Sequence, residues 1–447
     1  MIGLDFGTTN SAAARCGPDG EVRFALHGTP GGELSATFRS VLHFPTERPP
    51  LGIAPTAWAG PRALAAYLDE GGGRLLQSLK SHLASRTLRE TFVHGHRFEL
   101  EDLLAVILRE LRLAAMAQLG DPGSAVLLGR PVHFVRSEES ASGAAAEADA
   151  FAEGRLIEAA RRAGFSHIEV EFEPVAAAAE VEARLERDEL VLIADFGGGT
   201  SDFCLIRLGP EQRRLADRRA SVVAVAGVTR AGDALDGRIV RAQVAPALGL
   251  GREGLSAEGH ALPFPRWVYA SLERWEDLSL LAEPRRLDAL HRLVQHEERK
   301  ARTEGDRTHR FLESIVYLVE NDLGHLLARE VERTKVALST EGSATLRFDA
   351  LPRRLRGTFG REAFETWIAP EIELLDGALD DLLARGGIGA GAVDRVFLTG
   401  GSSLVPRVRA LFTERFGAER IASGGELTSV ASGLARLAAR HEGAAQS

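Results

Sequence analysis

Hydrophobic positions along this chain follow two periods, short apolar runs suited to buried strands and longer stretches with helical spacing. Residues 2 to 6 (IGLDF) run into a glycine turn, and Ala12 to Ala14 resume the apolar pattern beyond it. The arrangement returns at residues 192 to 196 (LIADF), with Phe203 to Ile206 following. Asp5, Phe6 and Gly7 recur at Asp195, Phe196 and Gly197, an offset of 190 residues each time. Each copy predicts a strand, a tight glycine turn and a second strand. The offset is too long for a solenoid and suits two related halves facing each other across a cleft.

The remaining pattern alternates in the α/β manner. Strands are predicted over 125–135, 167–172 and 393–398, and helices over about 144–164, from Pro174 onward, and over 232–244, 404–415 and 427–440. Two stretches read as insertions. Residues 35–120 carry helical spacing at 61–70, 75–84 and 101–119, and residues 246–340 are helical and charged, with Trp267 and Trp275 eight apart and expected to pack a helix. The organisation expected is a first lobe over 1–188, with its insertion at about 35–120, and a second lobe over 189–447. The second lobe would hold a helical insertion at about 228–345 and end in a helix returning to the first. The tail HEGAAQS is expected to fray.

Composition narrows the function. With 447 residues the chain has room for two or more compact units, and 45% apolar content supports a large core. The net charge of −9 gives no support to a nucleic-acid partner. Cys16 and Cys204 are too few for a disulfide framework or a zinc site. The chain enters a strand at Ile2, and no apolar run approaches the ~18 residues of a spanning helix, so a cytoplasmic protein with no membrane partner is expected. Of 54 basic residues only Lys80, Lys300 and Lys335 are lysine, and the other 51 are arginine. So marked a bias directs attention to the lysines that remain, although Lys300, in the run HEERKARTEGDR, reads as part of a solvated face.

Glycine after a strand turns the backbone with its amides exposed, and such amides cradle phosphate oxygens. Gly7, Thr8 and Thr9 offer amides and hydroxyls, and Asp5 stands where a carboxylate holds hydrated Mg²⁺. Taken alone, this turn reads equally as an ordinary hairpin. The second turn says more. Gly197, Gly198 and Gly199, followed by Thr200, are costly in backbone entropy unless a group must approach closely. Asp195 and Asp202 flank them, and no lysine follows, which argues against a Walker-type loop. Two facing turns, each with a carboxylate, fit one triphosphate clamped from both sides with a metal. A third glycine segment, LTGGSSLVP, places Gly400, Gly401 and Ser402 at a strand-to-helix junction able to face negative charge or a sugar.

The ordered set IGLDFGTTNS, EPVAAA (173–178), DFGGGTSD (195–202), ERTKVALS (332–339) and LTGGSSLVP resembles the nucleotide-binding half of the 70-kilodalton heat-shock chaperones of the DnaK type. The resemblance covers nearly the whole chain. The glycine turns are shared with sugar kinases and actin, whereas EPVAAA and the Glu-x-x-Lys-x-x-x-Ser spacing are specific to the chaperone branch. The long insertion before ERTKVALS makes the chain similar to the short, YegD-type branch. The resemblance implies an α/β, actin-like ATPase fold with ribonuclease H-like duplicated lobes and a nucleotide cleft between them.

It also implies roles. Asp5 with Gly7, Thr8 and Thr9 would form the first phosphate loop, and Asp195 with Gly197 to Thr200 the second, with Asp5 and Asp195 holding Mg²⁺ through water. Lys80 matches the family's catalytic lysine, directed at the γ-phosphate and the attacking water, and Glu173 matches the carboxylate beside it. Glu332, Lys335 and Ser339 match the residues that grip ribose and adenine. Gly232 and Asp233 fall near a phosphate-facing Gly-Gly-Glu-Asp segment that Ala231 and Ala234 interrupt. Phosphoryl transfer to water needs charge neutralisation and positioning more than covalent chemistry, which suits Lys80, Glu173, Asp195 and Thr200 as catalytic groups.

Three departures stand out. Val336 and Leu404 occupy positions where the family has adenine-stacking arginines, and each lost cation–π contact is worth ~0.5–2 kcal/mol. Residues after about 440 are too few for the family's substrate-binding sandwich and lid, so peptide capture by the usual route is not expected. The reading is a slow Mg-dependent ATPase binding ATP and ADP, chaperone-like, signalling lobe closure to client or co-chaperone proteins. A small-molecule kinase of the same fold, and a nucleotide-responsive module with little hydrolysis, remain as alternatives.

Overall fold

The computed structural model describes residues 1–29, 32–50, 52–70, 72–120, 123–134, 144–215, 218–255, 261–274, 277, 281, 284–304, 309–423 and 428–446. The chain divides into two units, Met1–Gly232 with Ile372–Ser447, and Asp233–Glu371.

In the first unit the apolar runs form two sheets of one design. Strands β1 (Ile2–Phe6), β2 (Asn10–Cys16), β3 (Val22–Phe24), β4 (Ala125–Arg130) and β5 (His167–Phe172) lie in the order β5-β4-β1-β2-β3, and Phe38–Arg39 pairs briefly with β2. Strands β6 (Glu189–Phe196), β7 (Ser201–Leu208), β8 (Val222–Val228), β9 (Arg395–Thr399) and β10 (Ile421–Ser423) lie in the order β10-β9-β6-β7-β8. In both sheets the first strand pairs antiparallel with the second and parallel with the fourth. The repeat in the sequence is therefore a repeat of topology. Register places Asp5 opposite Ala12 and Asp195 opposite Asp202, so the second copy brings two carboxylates where the first brings one. Every residue of β6 is buried, as expected of a central strand covered on both faces.

Helices α1 (Leu100–Leu119) and α2 (Ala144–Arg162) cover one face of the first sheet, where Leu104, Leu108 and Leu156 pack with Ile2, Leu4 and Phe6. Helices α3 (Glu173–Glu182), α4 (Pro406–Phe416) and α5 (Ser429–Gln446) follow. The buried alanines of α3 and the leucines of α5 share one core with Leu127 of the first sheet and Val191 and Ile193 of the second. Small residues make this approach possible. A Cβ on Gly433 would fall 1.7 Å from the Ala176 carbonyl oxygen, and one on Gly3 would fall 2.2 Å from the Ala435 nitrogen.

Several expectations shift. Residues 75–84 do not form a helix, because Leu75 and Leu76 pair as a strand with His43 and Leu42 and Ser78 takes a left-handed φ of 55°. Sheet pairing wins there over helical spacing. The strand from 125 ends at Arg130, and the helix expected from 404 begins at Pro406, after a short 3₁₀ turn at Gly401–Leu404. The tail does not fray at His441. Helix α5 runs to Gln446, with His441 Nδ1 2.7 Å from Glu169 Oε2 and the Glu442 carboxylate on the Met1 amino group.

The second unit holds the helices Arg266–Leu272, Pro284–Glu304, His309–Glu320 and Gly324–Thr340, and a hairpin of Ser343–Phe348 with Leu355–Gly360. The helix predicted over 232–244 is α-helical only over Gly232–Ile239, then opens into a π turn at Val240–Val244. Trp267 is exposed rather than packed, while Trp275 and the Lys300 side chain lie outside what is described. Among the described residues no helix is long and apolar enough to cross a membrane.

Candidate functional site

The first glycine turn joins β1 to β2. A Cβ on Gly7 would fall 2.1 Å from the Asn10 carbonyl oxygen, so the turn excludes a side chain there. The second turn joins β6 to β7 and is closed by the Gly197 amide donating to the Thr200 carbonyl at 2.9 Å. The two turns meet at Gly199, where a Cβ would lie 3.2 Å from Thr8 Oγ1 and 3.5 Å from Ser81 Oγ. Gly232, at the start of its helix, donates its amide to the Gly197 carbonyl at 3.2 Å.

Lys80 lies on a single 3₁₀ turn, Leu79–His82, whose Leu79 and the following Leu83 are buried in the core of the first sheet. Its Nζ donates to Glu173 Oε1 at 2.6 Å, and the two residues are only 8% and 7% exposed. Surface positions are thereby excluded for both. Glu173 is the first residue of α3, with Pro174 next, so its carboxylate sits at the positive end of a helix. Gly129 on β4 leaves room for it, since a Cβ there would fall 3.1 Å from Glu173 Cγ.

Negative charge gathers around this pair. Burial and the Glu173 carboxylate push Asp5 up to about 7, against the pull of Lys80. Burial, Glu173, Asp5 and Asp202 push Asp195 well above the ordinary carboxylate range. Asp202 also rises to about 7, mainly through burial and Glu173, although Thr200 and the Val132 amide hydrogen-bond to it, the latter at 2.7 Å. Four carboxylates thus share one ammonium, a balance that a cation would correct. Among the described residues no three His, Cys, Asp or Glu side chains are placed to ligate one ion directly. The donor set fits a hydrated Mg²⁺ held by Asp5 and Asp195 through water, since Mg²⁺ keeps several of its waters.

The third glycine segment leans on the same strand end. Gly400 has a φ of 81°, and a Cβ on it would fall 2.1 Å from the Phe196 carbonyl oxygen. Gly401 is exposed and Ser402 buried. Thus Asp5, Gly7, Thr8, Lys80, Glu173, Asp195, Gly197 to Thr200, Gly232 and Gly400 form one connected set in the first unit, and Thr9 anchors its edge by accepting from the Ser40 amide at 2.9 Å.

The remaining sequence candidates lie in the second unit, on Gly324–Thr340. Lys335 Nζ donates to Asp236 Oδ2 at 2.9 Å. Burial would lower the Lys335 pKa, but the carboxylates of Asp236, Glu332 and Asp233 outweigh it and hold the ammonium above its ordinary value. Ser339 Oγ donates to the Lys335 carbonyl at 3.3 Å. Val336 is 60% exposed on this helix, and in the first unit Leu404 is 52% exposed. Sequence reasoning passed over Ser81, the Val132 amide and Asp236. Asp236 had a signal, since it lies three residues after Asp233 on one helix face.

The Hsp70 protein family profile matches residues 318–447, and the DnaK chaperone proteins of two Thermotoga species, T. neapolitana and T. maritima, are each 24% identical over 441 residues, 98% of this chain. The chain is thus similar to Hsp70 proteins, by profile over residues 318–447 and by sequence over nearly its whole length. A further relative, the chaperone protein DnaK of Thermus thermophilus, is 24% identical over 327 residues, 73% of this chain. The chain spans 59% of the length of the Thermotoga relatives and 41% of the Thermus one. The duplicated pair of sheets described above is the arrangement of an actin-like α/β fold.

Proposed function

We propose that the chain is a chaperone-like ATPase, binding ATP with Mg²⁺ and transferring the γ-phosphoryl group to water slowly. The observation that carries this is the buried Lys80–Glu173 pair, set beside two glycine turns that touch at Gly199 and Thr8. The amides and hydroxyls of Gly7 to Thr9 and Gly197 to Thr200 bind phosphate oxygens. Lys80 neutralises charge developing on the γ-phosphate, and Glu173, Asp195 and Thr200 orient the attacking water. Mg²⁺, held through water by Asp5 and Asp195, supplies charge neutralisation when bound. Glu332, Lys335 and Ser339 hold ribose and adenine, with Gly400, Gly401 and Ser402 facing the nucleoside. These nucleoside roles rest on the sequence resemblance.

The two turns come from different sheets, so a nucleotide that changes their approach alters how the sheets close. Closure of this kind gives a client or co-chaperone protein something to sense.

The test is phosphate release from Mg-ATP by the purified chain with no acceptor present. Turnover that falls at least ~10²-fold in Lys80→Ala, with nucleotide still bound, supports the ATPase. Turnover appearing only with a sugar or similar acceptor would identify a kinase. The exposed Val336 and Leu404 favour one second reading, a nucleotide-responsive module with little hydrolysis. It predicts binding with background turnover, unchanged by Lys80→Ala.

A further inference from the structure

Lys80 has little local structure of its own to hold it. Its turn is one 3₁₀ turn long, enters through the left-handed Ser78, and is followed by irregular chain to about residue 89. Strain of that sort persists only when surrounding groups impose it. The chain just beyond Lys80 converges instead on one side chain from another element, Arg155 of α2.

Arg155 is 6% exposed. Its Nη1 faces the carbonyl oxygens of His82, Leu83, Ser85 and Leu88 at 3.4, 3.3, 3.2 and 3.4 Å, and Nη2 reaches Leu88 as well at 3.4 Å. The other edge of the fork grips Glu101 of α1, with Nε to Oε1 at 2.6 Å and Nη2 to Oε2 at 3.3 Å. The guanidinium carbon also lies 5.5 Å from the ring centre of Phe151. A planar fork can meet a carboxylate on one edge and a row of carbonyls on the other, which an ammonium cannot reproduce.

We infer that Arg155 is the positioning residue for Lys80, tying the segment that follows the lysine to the two helices behind the first sheet. Glu101 fixes the guanidinium, the guanidinium gathers the carbonyls of residues 82 to 88, and the turn keeps the ammonium on Glu173. The inference rests on the reading of Lys80 as the catalytic lysine.

The test compares Arg155→Lys and Glu101→Gln in the full chain, each alone and combined with Lys80→Ala. For each, kcat and KM for Mg-ATP and the thermal midpoint are measured. Arg155→Lys keeps the charge and loses the fork, so kcat should fall about tenfold with KM within about twofold, because misplacing a catalytic group by ~1 Å is enough for that loss. Glu101→Gln loosens the fork without removing it, and a loss of about threefold is expected. On the Lys80→Ala background neither change should lower kcat further, since a residue acting through Lys80 has nothing left to act on. Wild-type kcat in both folded variants, or equal losses with and without Lys80, overturns the inference. So does failure of both variants to fold, which would make the cluster a folding element. If Lys80→Ala itself leaves turnover unchanged, it is the ATPase reading that fails, and the inference falls with it.

Discussion

Lys80 and Lys335 are both ammonium groups set on a carboxylate, 2.6 Å from Glu173 Oε1 and 2.9 Å from Asp236 Oδ2. Their supports differ. Lys335 stands within the helix Gly324–Thr340, and the acids around it are answered by its own raised pKa. Lys80 stands on a strained one-turn segment, and the acids around it, Asp5 and Asp202, are themselves pushed up to about 7. The first arrangement is a settled ion pair on a rigid element, suited to holding a ligand that does not change. The second retains unmet negative charge beside a lysine placed by neighbouring elements, suited to a centre that takes up a cation and reorganises charge.

The largest effect expected from breaking this comparison is Glu173→Gln. It removes the carboxylate that aims Lys80 and should lower kcat by ~10²–10³-fold, about 2.7–4 kcal/mol, with nucleotide affinity kept. Steady-state phosphate release at saturating Mg-ATP checks it. Gly433→Ala comes next. The new methyl would press into the Ala176 carbonyl and shift α3, which carries Glu173. A cost of about 1–3 kcal/mol in stability is expected, with a fall in kcat, and thermal melting with a parallel rate assay measures both.

The acid cluster makes a pH prediction. With Asp5 and Asp202 raised from 3.8 to about 7, the folded chain binds more protons than the unfolded chain between those values. Their contribution to stability is therefore fully present below pH ~4 and is lost as pH rises through ~7. Mg²⁺ should reverse part of that loss, raising the thermal midpoint by a few degrees at pH 8 and hardly at all at pH 5. A midpoint indifferent to Mg²⁺ at both pH values would contradict the charge account. The smallest effect expected is on the base. Val336→Arg places a guanidinium at an exposed position and should tighten ADP by about two- to fivefold, read by calorimetry, through a contact of ~0.5–1 kcal/mol.

Much of the first unit was legible in the chain. The 190-residue repeat of Asp-Phe-Gly predicted two strand–turn–strand units, and the sheets repeat down to strand order. The glycine turns and Glu173 were legible because tight turns and helix starts leave local marks. Residues 75–84 were misread because helical spacing is local, while pairing of Leu75 and Leu76 with His43 and Leu42 is not. Asp236 was passed over for the same reason, since its meaning comes from a lysine 99 residues away. Arg155 is one of 51 arginines, and only folding shows that its guanidinium meets the carbonyls beyond Lys80.

The division of labour between the two lysines is tested most directly by Lys80→Ala and Asp236→Asn measured side by side for kcat, ADP affinity and inorganic tripolyphosphate affinity. The account predicts a crossed pattern. Lys80→Ala should lower kcat at least ~10²-fold with ADP affinity within about threefold. Asp236→Asn should weaken ADP about tenfold, ~1.4 kcal/mol, with kcat at saturation and tripolyphosphate binding little changed. Both variants losing the same parameter, or Lys80→Ala turning over ATP at the wild-type rate, would contradict it.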